Sequence, residues 1–130
     1  MVQFTLIERP SPGDKIAVPK RPNNKPQPGD RLFILNRAVV DAAGNPSGSF
    51  VLHGTILQVL ANGVLLSFLA SNDLTRQGVI STQGAILTSQ FAAGVTFTIV
   101  GGTGNFSDAR GTVTVQRVGA NTQFTYNVLP

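Results

Sequence analysis

Every apolar run in this chain is short, and a turn signal interrupts it before a helical face can build up. The runs cover residues 2–8, 31–40, 49–60, 64–71, 79–87, 95–100, 111–118 and 122–128. They are rich in Val, Ile, Thr and Phe, which fit a pleated surface. Asp41-Ala42-Ala43-Gly44-Asn45-Pro46 closes the second run, and Asn62-Gly63 is the strongest hairpin dipeptide in the chain. No segment combines helix caps with a 3.6-residue apolar period. The pattern predicts about eight strands in an antiparallel sandwich or barrel. Two features favour an eight-stranded antiparallel β-barrel. Leu32-Phe33-Ile34-Leu35 and Val64-Leu65-Leu66-Ser67-Phe68-Leu69 are apolar on both faces, unlike the strands of an open sheet with one wet side. Roughly eight strands also suffice to close a tube around side chains plus one small ligand.

Gly101-Gly102-Thr103-Gly104 reverses one predicted strand into the next, and Phe106 is placed to plug the turn. Glycine-rich turns also bind phosphate, but only where a helix N-terminus follows. Here Thr112-Val113-Thr114-Val115 follows, a strand, which excludes the nucleotide-loop reading.

The 130 residues are read as one domain, 1–130, with a Pro/Lys-rich loop at 9–29. Charged residues make up 12% and hydrophobic ones 42%, a balance that points to apolar area hidden in an oligomer interface or an enclosed pocket. The chain has no cysteine and one histidine, His53, so thiolate chemistry, a histidine metal site and a catalytic triad are not expected. Seven of the ten basic residues lie between Arg9 and Arg37, interleaved with prolines rather than aromatics. They read as a solvated, proline-stiffened loop, not a nucleic-acid surface. Residues 1–9 lack the features of a secretory leader, and no apolar run approaches the roughly 20 residues of a membrane helix. The expectation is a cytoplasmic protein with no membrane association.

Among the six acids, Asp30 and Asp41 read as turn residues capping their own backbone. Glu8 shares a face with Phe4 and Leu6. Facing a barrel interior it would be a desolvated acid or base, and facing outward a surface residue. Asn36, in phase with Leu32 and Ile34, would be a buried amide that is either structural or ligand-facing. Arg37 falls on the opposite face, toward solvent or a neighbouring subunit. His53 reads as structural, and Tyr126, in phase with Phe124 and Val128, as core with its hydroxyl at one barrel end.

Gly101-Gly102-Thr103-Gly104-Asn105-Phe106 with Ala109-Arg110-Gly111 resembles a signature of dirigent proteins and allene oxide cyclase-like barrels. Pro28-Gly29-Asp30-Arg31-Leu32-Phe33 through Asn36-Arg37, the Asp41–Asn45 turn and Gln83-Gly84 match further pieces of that pattern in the expected order. The resemblance implies an eight-stranded barrel with an apolar lumen, usually oligomeric. Members include allene oxide cyclases, dirigent proteins that steer radical coupling, and bacterial polyketide cyclases of the spirotetronate Diels–Alderase kind. It implies that Glu8 falls on a lumenal glutamate and Asn36 on an asparagine that holds a polar group of the substrate. Leu32, Ile34, Ile56, Phe68 and Ile86 would line the lumen. Ile56 stands where the cyclases have cysteine and Ile86 where they have tyrosine, which describes a greasier pocket and argues against allene oxide cyclase activity itself.

The resulting expectation is a cyclase without cofactor or metal, folding a hydrophobic polyene- or polyketide-like molecule, with Glu8 and Asn36 as the catalytic pair. A homo-oligomer, dimer or trimer, is expected, with no nucleic-acid partner. The alternatives are a non-catalytic dirigent- or lipocalin-like barrel that binds an apolar ligand, and a structural protein whose lumen is filled by side chains.

Overall fold

The computed structural model describes residues 2–22 and 25–129. In chain order its strands are β1 (Val2–Arg9), β2 (Lys15–Val18), β3 (Arg31–Asp41), β4 (Pro46–Leu60), β5 (Gly63–Leu74), β6 (Gly78–Leu87), β7 (Val95–Gly102), β8 (Gly111–Val118) and β9 (Asn121–Val128). They pair antiparallel in the order β1-β9-β8-β7-β6-β5-β4-β3-β2, and β1 also pairs with β3. That extra pairing closes an eight-stranded antiparallel barrel, as the turn spacing and the two-faced apolar strands predict. Among the described residues no helix is long and apolar enough to cross a membrane.

β2 corrects the expectation of an unbroken loop over 9–29, of which residues 23 and 24 lie outside the described residues. β1 covers only Ala38–Asp41 of the β3 edge, so the N–H and C=O groups of Arg31–Ile34 would otherwise be unpaired. Lys15-Ile16-Ala17-Val18 supplies their partners, because an open edge favours any nearby segment able to extend.

The barrel wall alternates as a closed sheet must. Leu6 and Glu8 of β1, Leu66, Phe68, Ala70, Asn72 and Leu74 of β5, and Phe124 and Tyr126 of β9 all point inward and are buried. One end is stopped by side chains. Ile80 and Tyr126 are sealed there, Phe4 stacks on Tyr126 with centroids 5.0 Å apart, and Phe106 lies 6.2 Å from Phe4. Phe106 plugs the glycine turn as its position predicts. The turn needs glycine at 104, where φ is +58° and a Cβ would sit 2.5 Å from the Gln77 carbonyl oxygen. At the other end the hairpins after β4, β6 and β8 surround an opening that the segment between β1 and β3 partly covers.

Candidate active site in the barrel lumen

Behind that opening lies a cavity of about 1220 Å³. It exceeds the roughly 300 Å³ needed for a small organic ligand, which disfavours the alternative of a lumen filled by side chains. Leu32, Ile34, Ile56 and Phe68 line it, together with Phe50, Leu66, Phe97, Val113 and Val115. Phe68 meets Phe97 edge-on at 5.0 Å, and Gly84 makes this possible, since a Cβ there would stand 2.9 Å from the Phe97 ring. Ile86 is buried but does not border the cavity, so it belongs to the packed wall rather than to the ligand surface.

Glu8 faces the lumen and is 2% exposed. Its partner is Arg37, whose Nη1 donates to Glu8 Oε1. The same guanidinium forks onto Asp14, with Nε donating to Oδ2 at 2.8 Å and Nη2 to Oδ1 at 2.9 Å. Asp14 also accepts the Ser11 N–H at 2.8 Å. Burial outweighs the guanidinium at Glu8, so this carboxyl titrates above the usual glutamate range. At Asp14 the Arg37 hydrogen bonds dominate and hold the carboxyl down at about 2. One buried cation thus holds a carboxylate firmly ionised on its loop side and, on its lumen side, an acid that protonates more readily.

The expected placement of Asn36 and Arg37 is reversed. Ile34 pairs with Leu52 and Arg37 with Phe50, so β3 carries one residue more than β4 between those pairs. This is a β-bulge, and Asn36 sits in it with φ +45°. Asn tolerates the left-handed region better than most side chains do. The extra residue inverts the alternation beyond it. Leu35 and Asn36 are therefore exposed on the outside, while Arg37, 8% exposed, and Val39 point inward. Asn36 cannot hold a polar group of a molecule in the lumen.

Asp14 and Arg37 were not anticipated as site residues. Pro12-Gly13-Asp14 reads as a turn and Arg37 as an outward side chain, and their only signal is that the bulge occurs where the β3 partner changes from β2 to β1. Asp30 does cap a turn, accepting the Gln27 N–H at 3.0 Å, but it is also buried and bound by both faces of the Arg21 fork at 2.8 and 3.1 Å. His53 is exposed on the outer wall, stacked on Phe33 at 4.9 Å.

Six of the ten basic residues border the cavity, Lys15, Lys20, Arg21, Lys25, Arg37 and Arg117, against two of the six acids, Glu8 and Asp30. The way into the lumen is therefore electropositive. Among the described residues no group of three or more His, Cys, Asp or Glu is placed to hold a metal ion.

Residues 14–129 match the model of the allene oxide cyclase barrel-like domain. The chain belongs to the allene oxide cyclase-like barrel family. A pyocyanin demethylase superposes on this family member with a TM-score of 0.78 at 18% identity, over 98% of this chain and 100% of that one. A heme-binding cyclase that catalyses [4 + 2] cycloaddition in neoabyssomicin biosynthesis gives a TM-score of 0.73 at 19% identity, covering 99% of this chain and 68% of the other. A pterocarpan synthase dirigent protein gives 0.65 at 16% identity, covering 98% and 80%. The Diels Alderase of Streptomyces koyangensis gives 0.69 at 18% identity, covering 98% and 65%. These likenesses establish the shared barrel, and no curated protein matches the sequence.

Proposed function

We propose that this barrel binds a hydrophobic polyene- or polyketide-like molecule in its lumen and folds it for cyclisation. The observation that carries the reading is a mostly apolar lumen, open at one end, with the buried acid Glu8 in its wall. A [4 + 2] closure makes two carbon–carbon σ bonds at the expense of two π bonds. It moves no proton and no net electrons, so it calls for no cofactor. Confinement brings the reacting ends into a near-attack geometry, a contribution of up to several kcal/mol. Glu8, oriented by Arg37, would stabilise developing positive charge or relay a proton where the substrate requires one. Leu32, Ile34, Ile56 and Phe68 would shape the substrate.

The test uses a linear trienone that carries a conjugated diene at one end and an enone at the other. The protein should accelerate its closure and bias the stereochemistry. Glu8→Gln should lower the rate while leaving binding in place. Unchanged turnover in that variant removes Glu8 from the chemistry, and a background rate and product ratio with wild-type protein overturns the cyclase reading.

A second reading, a binding or dirigent-type barrel without chemistry of its own, is favoured by one observation: Glu8 is already engaged by Arg37. It predicts tight binding of the trienone with no acceleration.

We also propose a homo-oligomer, dimer or trimer, through the outer wall. Ile16, Phe33, His53 and Leu69 are successive cross-strand partners there, with Ile16 42% and Leu69 48% exposed. Leu35 and Val51 extend this apolar strip. Light scattering should report an oligomer that Leu69→Lys dissociates.

A further inference from the structure

The floor of the lumen carries hydrogen-bonding capacity that the protein itself does not use. Thr82 on β6 and Tyr126 on β9 both border the cavity at its closed end. Thr82 is only 5% exposed, yet its Oγ1 has no hydrogen-bond partner. A buried hydroxyl without a partner costs about 1–3 kcal/mol, which selection for stability alone would remove by placing valine there. Tyr126 accepts a hydrogen bond from Asn72 Nδ2 at 2.5 Å, which fixes the position of the phenol. Because the phenol is the acceptor in that bond it keeps a proton to donate, and Asn72 Oδ1 is left without a partner. Thr82 lies beside the phenol and, like Asn72, acts to lower its pKa, although Thr82 Oγ1 makes no well-formed hydrogen bond. Burial dominates and pushes Tyr126 up to about 12, so its proton is present throughout the physiological range.

We infer that Thr82 and Tyr126 form a two-donor subsite for a carbonyl oxygen on the leading end of the ligand, with Asn72 as the residue that positions the phenol. Two hydroxyl groups able to donate, bordering one mostly apolar chamber, match an acceptor with two lone pairs, such as a ketone, enone or quinone oxygen. The hydrocarbon part of the same molecule then fills the space between this floor and Glu8. Glu8 pairs with Thr122 across β1 and β9, and Tyr126 lies four residues further along β9, a rise of about 13 Å. The subsite thus gives the ligand a direction, carbonyl end first. This inference rests on the ligand-binding lumen proposed above. In that cyclisation the two donors would also draw electron density out of an enone and make its alkene a better partner for the diene.

The experiment measures affinity rather than turnover. The probes are β-ionone, an apolar conjugated ketone, and the hydrocarbon that results when its carbonyl is reduced to CH₂. Calorimetry compares both on wild-type protein, Thr82→Val and Tyr126→Phe. Wild type should prefer the ketone, and its carbonyl stretch should move to lower frequency on binding. Thr82→Val should weaken ketone binding roughly tenfold, leave the hydrocarbon unchanged, and keep or raise the melting temperature. Tyr126→Phe should do the same to the ketone, and its melting temperature reports the separate cost of stranding the Asn72 amide. Equal binding of both probes by all three proteins overturns the carbonyl subsite while sparing the apolar lumen. Failure of wild type to bind either probe overturns the ligand-binding reading beneath it.

Discussion

At the Phe106 end the tube is stopped by rings from its own strands and turns, and at the Glu8 end by a segment moored on ion pairs. The first closure rests on buried aromatic area and on contacts such as Phe4 with Tyr126. The side chains buried there are uncharged, so pH and salt act on them weakly. The second depends on Arg37 between Glu8 and Asp14, and on Arg21 with Asp30. Each of those contacts is conditional on a charge state. The difference separates the two tasks of the barrel, with permanence at the floor and adjustability at the mouth.

The largest expected effect strikes the floor. Phe106→Ala should cost about 3–5 kcal/mol in urea unfolding, the range for removing a buried phenylalanine, and a cost below about 1 kcal/mol would dissolve the contrast. The mouth comes next. Arg37→Met strands two carboxyls at once and should cost roughly 3 kcal/mol at neutral pH. Combining it with Glu8→Gln should restore part of that loss, which separates the burial of an unpaired charge from lost packing.

The third test is the shape of the stability curve against pH. Asp14 titrates at about 2 when folded, against an ordinary 3.8. Its contribution is therefore complete above the ordinary value and is lost as pH falls toward the folded one. Glu8 has the opposite sign. Its folded pKa is raised above 4.5, so it favours the native state while protonated, and that contribution is withdrawn as pH rises through the raised value. Asp14→Asn should flatten the acid limb, whereas Phe106→Ala should lower the whole curve without changing its shape. The smallest effect falls outside both ends. Asn36→Ala should cost about 1 kcal/mol for its left-handed backbone, Asn36→Gly almost nothing, and neither should change ligand affinity.

The barrel was legible because its cues are local and repeated. Asn62-Gly63, the glycines at 101, 102 and 104 and the runs between them each constrain one hairpin, and eight strands, seven of them joined in series by short reversals, have few ways to hide two apolar faces. β2 was obscured because four residues amid prolines carry almost no period, and their reason to extend lies in an unpaired edge elsewhere in the chain. The site was harder to read because it depends on phase. Leu32-Phe33-Ile34-Leu35 is apolar at both parities, so nothing in it marks where alternation slips, and a single extra residue exchanged the fates of Asn36 and Arg37. Asp14 shows a further limit. Its bond to Arg37 joins residues of no common periodicity, and the pairing of β2 with β3 brings them together. Thr82 is obscured for another reason, since a threonine in a strand looks the same with or without a partner.

The mooring of residues 10–30 also bears on how barrels of this kind diversify. Much of the rim comes from one uninterrupted stretch of chain, fastened by Asp14 on Arg37 and by Asp30 on Arg21. The frame behind it is knit from all the other strands. Such a stretch can be lengthened, shortened or recharged as a cassette while the container behind it keeps its pairing.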